Sequence, residues 1–575
     1  MKKRKGMSML LVLTIVLLLS SCAADAGAES QVESVGSSAD PMDENVAAAT
    51  ALLEEAVERR ETILTTETQI VQGETLTPGE TYTGTAYYVS NKGNDGNDGL
   101  SPDTAWATLD RVNEAPLQYG DAVFFERGGV WRAAQVYTKP GVTYSAYGEG
   151  NKPGLYGSVE NGGAEKWTLW HEGEDGSKIW VYDRPMLDCG SIALTDTLGA
   201  VKVQGFWNGE CFQPVSELWS TDRTEEAMAE QAAMPEFDPA EQLPENLTFF
   251  CEAGSGLPDS LPIYLSGWVD TGEREQYCLT ADGPLYLRCD GGNPGELYPD
   301  MEFLSPYAPF DGVADDVVID NLAVLYTGRN ILSVSPECEG VLVQNCELGW
   351  GGGCAASYAL DTITGYAAGV QRNGGVGGAS SSRNTFRNNY VHETYQEGLG
   401  LETAIEFSGQ AFDVTDVTIE GNVFYHCGSA LIYFNWDEAA NPDHQFRNVS
   451  FRDNLVFYST MSDWVDTGED VDGFTTGAFT IDGGPNMQDG TVEVRDNVFF
   501  AARECLVYIR TYVPEYLPDF EGNIYAQFSD GVFLSSVSAP NYWSANAAEG
   551  VRKTLFDESG EVLSLSRSRW GEADW

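Results

Sequence analysis

The chain has 575 residues, enough for several ordinary domains or for one long solenoid with attachments. Its 88 acidic residues against 32 Lys and Arg give a net charge of −56. That balance argues against a nucleic-acid partner, whose phosphates need basic side chains, and against an anionic polysaccharide unless calcium or a local basic patch intervenes.

Residues 1–22 open on Lys2-Lys3-Arg4-Lys5 and continue in an apolar run from Met9 to Leu19, too short to span a bilayer as a lone helix. The run ends in Leu19-Ser20-Ser21-Cys22, which resembles the bacterial lipobox. The resemblance implies export of a bacterial lipoprotein, with Cys22 as the lipidation site and a membrane-anchored position at the cell surface. Residues 23–85 then read as a spacer followed by a short helix. The first part, to residue 45, is small, acidic and Ser-rich, a composition that stays disordered. Residues 46–65 carry Leu52, Leu53, Val57 and Ile63 at helical spacing and predict one helix, packed on the body or free.

Residues 86–157 hold a turn cluster, Asn94-Asp95-Gly96-Asn97-Asp98-Gly99, then a short helix with Trp106, Leu109 and Val112 on its apolar side, then the strand phrase GDAVFFE. Asp95 and Asp98 are weak candidates for a Ca²⁺ site, since oxygen ligands suit that ion; the cluster lacks the downstream Glu of an EF-hand loop, and a purely structural turn competes. Together with PGVTYSAYGEGNKPGLYGS, these phrases resemble the opening of secreted bacterial right-handed parallel β-helix proteins of the pectate-lyase-like superfamily. The resemblance implies the fold, with this helix as an N-terminal cap, and a carbohydrate-active protein; it is specific for architecture and weak for activity.

Residues 158–310 break the pattern and are rich in Trp (167, 170, 180, 207, 219, 268). They predict an inserted β-rich subdomain whose last part, 281–303, reads as a hairpin. Aromatic faces there suit sugar rings, against the plainer reading of an aromatic core. Ten of the eleven cysteines follow Cys22 without a C-x-x-C, and their spacing gives no disulfide connectivity. Cys346, Cys427 and Cys505 read as small interior apolar residues.

Residues 311–540 carry the repeat. Strand–Asn–strand phrases place Asn321, Asn345, Asn389, Asn422, Asn454, Asn497 and Asn523 at recurring intervals, and the flanking apolar residues alternate, as in Val417/Ile419, Val449/Phe451 and Val492/Val494. Units this short must stack to bury their apolar sides. The fold class predicted is all-β, a parallel β-helix, with Asn at a corner where it tolerates left-handed dihedrals and bonds to the next coil. Residues 541–575 predict a tail covering the last coil, whose open end is otherwise a raw sheet edge.

Counting from each Asn places the third strand of successive coils at 398–403, 430–435, 478–482 and 505–510 and aligns their outward side chains in a groove. Glu397, Ser429 and Glu504 fall in one column, given one inserted residue in the Glu397 coil. At the far end lie Glu402, Asp437, Asp482 and Arg510. Glu397, Glu402, Asp437 and Asp482 are the candidate catalytic carboxylates, since paired acids one or two strands apart suit glycoside hydrolysis. Arg329, Arg372, Trp436 and Arg510 are the candidate substrate-binding residues. His392 and His426 follow the Asn in successive coils and are read as a stacked pair facing the groove. No Lys occurs between Lys202 and Lys553, so a lysine base on the main helix is excluded. The readings in order are a glycoside hydrolase acting on a polysaccharide, a polysaccharide lyase with an Arg base and Ca²⁺, and a non-catalytic glycan-binding β-helix, each as a monomer.

Overall fold

The computed structural model describes residues 41–571 apart from 187–188, 190, 196–200, 206–239, 241–242, 244, 252–283, 306, 329, 335–337, 353–375, 378–381, 403, 406–409, 412–413, 436–445, 462–476, 484–491 and 515–516. Three parallel strand stacks dominate it. The first face is a 10-stranded sheet running from Ala86–Val89, Ala122–Glu126 and Thr143–Tyr147 through Val318–Asp320 and Leu342–Gln344 to Asp519–Glu521. Each strand pairs in parallel with its equivalent one coil away, as in Val318↔Leu342, Thr385↔Thr418 and Ser450↔Glu493. The other two faces are joined in a 17-stranded sheet. Parallel neighbours need a crossover connection, and here the crossover is the rest of the coil. The chain is a parallel β-helix.

The second face includes Ala323–Thr327, Glu347–Gly351, Leu455–Ser459, Val498–Ala502 and Ile524–Phe528. The third is built by β1 (Tyr390–Glu402), β2 (Val423–Asn435), β3 (Gly477–Gly483), β4 (Cys505–Ile509), β5 (Val532–Ser536) and β6 (Tyr542–Trp543). β1 and β2 are long enough to run across the corner, so their first halves belong to the second face. Alternation sends one residue in two inward. Ile319, Val343, Ile419 and Val494 come from the first face. Val324, Leu348, Val391 and Phe499 come from the second, and Leu399, Leu431, Phe479 and Val507 from the third. All lie in one core, and full burial of each such side chain stabilises the coil by roughly 1.5–3 kcal/mol.

The corner after the first face separates two jobs that the sequence reading assigns to one Asn. Its first residue has positive φ: Asn321 62°, Asn345 54°, Asn388 52°, Gly421 66°, Asp453 51°, Asp496 55° and Gly522 71°. The next residue is the buried ladder member: Asn389, Asn422, Asn454, Asn497 and Asn523, each at most 1% exposed. Asn321 and Asn345 therefore sit one place early, and the ladder seats in their coils hold buried Leu322 and Cys346. The Asn345-to-Asn389 interval mixes the two positions, whereas the ladder contact between Cys346 and Asn389 spans 43 residues.

Within the ladder, the backbone N and Nδ2 of each Asn donate to Oδ1 of the next, at 2.9 and 3.1 Å from Asn389 to Asn422 and 2.9 and 3.1 Å from Asn454 to Asn497. Each Nδ2 also donates to a carbonyl of the preceding coil, as Asn454 does to Ile419 at 3.0 Å. The series ends on Asp557, wholly buried, whose Oδ2 accepts from Asn523 N and Nδ2 and from the Tyr525 hydroxyl at 3.2, 3.0 and 3.2 Å.

The first coils stack directly on the main helix, with Thr143 opposite Val318 and Gly154 opposite Ala323. The stretch between Tyr156 and Phe310 is thus an excursion from a continuous solenoid. It forms an antiparallel four-stranded sheet (Trp167–Glu172, Lys178–Tyr182, Phe249–Cys251, Leu285–Arg288) and a three-stranded one (Ser191–Thr195, Val201–Gly205, Asp300–Leu304). The hairpin expected over 281–303 does not form. Leu285–Arg288 pairs with Lys178–Tyr182, whereas Asp300–Leu304 pairs with Ser191–Thr195, because apolar partners far along the chain outcompete the local turn. Trp167 is core, Trp180 packs against that core and Trp170 is exposed; Trp207, Trp219 and Trp268 lie outside the described residues.

Helix α1 (Pro41–Thr65) begins earlier than 46. Ala49, Ala56 and Ile63, one heptad apart, bury against Tyr390, Tyr425, Leu455, Phe457 and Phe500 on the outside of the second face. Arg59 donates to the Asp453 carbonyl at 2.5 Å, fixing the helix to a corner. Helix α2 (Leu109–Glu114), with Trp106, Leu109 and Val112 in the core, closes the first coil. At the other end Glu561–Leu565 adds a parallel strand to Ile524–Phe528. Helix α3 (Ala547–Lys553) brings Val551, with Leu555 just beyond it, into the core. The described cysteines 189, 289, 338, 346, 427 and 505 are all buried, consistent with interior packing.

Candidate active site

The third face is the candidate groove. β1 contains one extra residue relative to β2: Thr394 pairs with Cys427, but Glu397 pairs with Ser429. This bulge is the inserted residue that the sequence count requires, and a bulge re-aims the side chain beside it. Glu397 is 6% exposed. Its side chain lies across the outward side of Gly400: a Cβ built there would stand 3.5 Å from Glu397 Cγ and 3.6 Å from Oε1. The carboxyl thus packs over position 400 at ordinary contact distance.

Ser429 Oγ contacts Thr480 Oγ1 at 3.2 Å and donates within reach of the Leu431 carbonyl at 3.1 Å, so a hydroxyl pair runs from the Glu397 coil toward β3. The column then departs from expectation. Leu431 pairs with Phe479, which sets Ser429 beside Gly477, and Gly477 pairs with Cys505. Glu504 lies one residue before that line, because β4 has no residue to compensate.

At the far end, Glu402 pairs with Phe434 and Phe434 with Asp482. Arg510 follows next, its N–H bonded to the Ile481 carbonyl at 2.9 Å. Glu402 and Asp482 are therefore two strand spacings apart, about 9.6 Å between Cα positions. Position 402 is two residues beyond Gly400 on the same side of β1, about 6.6 Å along the strand. The backbone thus supports three acid positions around Gly400 within the span used by glycosidase pairs. Arg329, Arg372, Trp436 and Asp437 lie outside the described residues, as does Cys22, and so do most of the insertions at 351–383 and 461–479.

The two histidines do not stack. His392 pairs with Tyr425, and His426 stands opposite Glu393, one residue on. His392 belongs to the outside of the second face, its ring over bare Gly349 and stacked on Tyr390 at 4.3 Å, with Nε2 3.5 Å from Glu347 Oε1. His426 Nδ1 bonds Glu393 Oε1 at 2.8 Å. These residues occupy the corner between second and third faces, where Tyr326, Trp350, Glu393, His426, Tyr458 and Ala501 all have φ between 49° and 60°. The strand alternation alone gives no sign of this corner.

Asp95 and Asp98 are engaged within their own turn. Asp95 Oδ1 accepts from the Ala107 and Thr108 amides and Oδ2 from the Thr108 hydroxyl, at 2.8, 3.0 and 2.8 Å; Asp98 Oδ1 accepts from the Leu100 amide and the Thr104 hydroxyl. These bonds hold both carboxyls below their usual range. The cluster locks a turn, and among the described residues no group of three acidic, His or Cys side chains converges as a metal site. A lysine that the sequence reading passes over, Lys152, is buried with its Nζ 2.6 Å from Asn321 Oδ1, and burial pushes its pKa down to about 8. It serves a corner of the second face.

No family model matches the chain, and no curated protein matches it. Several solved structures are similar. One is a complex of XylC with xylose, at 13% identity, covering 83% of this chain and 82% of that one with a TM-score of 0.36. The second is the GH136 lacto-N-biosidase from Eubacterium ramulus at 12% identity, covering 84% and 67% with a TM-score of 0.35. The third is a rhamnogalacturonan lyase at 11% identity, covering 80% and 78% with a TM-score of 0.34.

Proposed function

We propose that the chain is an exported, lipid-anchored carbohydrate-active enzyme that hydrolyses a neutral or weakly charged polysaccharide along the third face. The observation that carries this is the Glu397 carboxyl lying over Gly400, on the same side of β1 as position 402, which is itself in register with Asp482 through Phe434. In this reading Glu397 and an acid from the Glu402–Asp482 line share the work. One protonates the glycosidic oxygen and the other activates a water, and the step of about 7 Å from the Gly400 seat to position 402 favours inversion. The acidic balance of the chain fits a substrate without many carboxylates.

Arg510 beside Asp482 supports a second reading, a lyase with Arg as base. Digestion of a polysaccharide panel separates the readings. New reducing ends without ultraviolet absorbance from an unsaturated uronide support hydrolysis, and that absorbance supports the lyase. Retention of glycan with neither product would leave a binding protein. Glu397→Gln should lower turnover about 10³-fold; full activity in that variant would sink the hydrolase assignment.

A further inference from the structure

The third face ends on β6, which turns back antiparallel along β5, with Leu534 opposite Tyr542 and Val532 opposite Trp543. Tyr542 packs against the interior core with Gly550 under its ring, where a Cβ would come within 2.8 Å of Cγ. Successive strand residues point to opposite sides, so Trp543 is sent outward, and it is 54% exposed. Its backbone is held: Trp543 N donates to Asn546 Oδ1 at 2.8 Å, and the Ser544 hydroxyl reaches the Gly531 carbonyl at 3.1 Å. A rigid strand thus displays an indole that takes no part in the core.

The place of that indole matters. Thr480 pairs with Tyr508 and Tyr508 with Ser535, so one outward line connects the Gly400 region to β5, beside β6. β6 lies three strand steps beyond β3, about 14 Å, and Trp543 stands level with Val532, Cys505 and Gly477, about 16 Å along the strands from Asp482; the separation of about 22 Å has room for a short run of sugar rings over the buried Thr480 and Tyr508. Composition changes there as well. Residues 531–548 contain no charged side chain, in a chain that is 21% charged, and offer Ser535, Ser538 and Asn541 as neutral hydrogen-bonding groups. An aromatic surface edged by hydroxyls and an amide suits the apolar side of a pyranose.

We propose that Trp543 is the platform of a sugar-stacking subsite at the C-terminal end of the groove, taking one pyranose of a neutral glycan. The proposal rests on the third face being the glycan groove, and adds where the chain of sugars ends. The test uses the full chain carrying Glu397→Gln, so that the ligand stays intact, and titrates gluco-, xylo-, manno- and galacto-oligosaccharides from disaccharide to hexasaccharide by calorimetry. Trp543→Ala should weaken binding of the longest oligosaccharides about ten-fold and leave the short ones that fill only the carboxylate end unchanged. Trp543→Phe should restore most of the loss. Equal binding of long oligosaccharides by Trp543→Ala and its parent overturns the subsite while leaving the groove intact. If the parent binds no member, and the wild-type chain cleaves none, the glycan groove falls and the subsite with it.

Discussion

Asn454→Ala tests whether the ladder holds the coils together. In the folded chain Asn454 Oδ1 accepts from Asn422 N and Nδ2 at 3.1 and 3.0 Å, and its Nδ2 donates to the Ile419 carbonyl and to Asn497 Oδ1 at 3.0 and 3.1 Å. Alanine removes all four bonds. Asn422 Nδ2 keeps its bond to the Phe386 carbonyl, and Asn497 Oδ1 keeps the backbone N–H of residue 454. The Asn422 amide N–H and the Ile419 carbonyl lose side-chain partners in a place without water. At about 1–3 kcal/mol for each buried group left unpaired, plus a small cavity, the expected loss is about 3–5 kcal/mol. The measurement is the urea midpoint followed by circular dichroism and by tryptophan fluorescence, with the slope checked for constancy because long solenoids can lose cooperativity. Arg452→Ala is the control: its guanidinium bonds Glu420 Oε2 at 2.6 Å on the exposed surface, and it should cost less than about 1 kcal/mol. Equal small effects in the two variants would refute the ladder as a source of stability.

Other consequences are as direct. Asp482→Asn should abolish hydrolysis alongside Glu397→Gln, with both variants keeping the wild-type circular dichroism; reducing-end assays on the digested panel check it. A chain beginning at residue 66 should bind an apolar dye and self-associate, because the loss of Ala49, Ala56 and Ile63 uncovers Tyr425, Phe457 and Phe500; light scattering reads this. Lys152, whose pKa burial lowers from the ordinary 10.5 to about 8, loses its proton earlier in the folded chain than in the unfolded one. The unfolded state then binds more protons between those limits, so stability should rise with pH across that window. Relative to Lys152→Gln, the wild type should gain up to about 3 kcal/mol from pH 8 to 10.5 in urea melts; a flat difference would refute it.

The coil repeat was legible because a backbone corner imposes the same chemistry each time, and period-two apolar alternation exposes which residues lie between corners. The same Asn count could not separate two adjacent seats, since one favours Asn for its dihedral tolerance and the next for its amide; hence the displaced Asn321 and Asn345. The inserted residue before Glu397 was countable, but the offset of Glu504 depended on where β4 starts, which no local signal marks. His392 and His426 read as equivalents because they follow their Asn by similar distances, yet strand alternation and the positive-φ corner send them to different surfaces. In the excursion, pairing between segments over a hundred residues apart decided the sheets, and composition carries no record of such partners. Glu397 is legible from register alone, whereas its place over Gly400 follows from the bulge that turns its side chain along β1.

The ladder has a direction. Each Asn passes its backbone N–H and one amide hydrogen to the next coil, so the last of them, Asn523, needs an acceptor beyond it. Asp557 offers two oxygens and no donor of its own when ionised, accepting from Gly522, Asn523 and Tyr525. It behaves as a chain terminator in a polymer. Propagation needs a unit with both a head and a tail, and Asp557 has only the head. The length of the ladder is thereby written in one carboxylate, and duplicated Asn-bearing coils inserted before it would extend the ladder, whereas coils appended after it would find no amide to join.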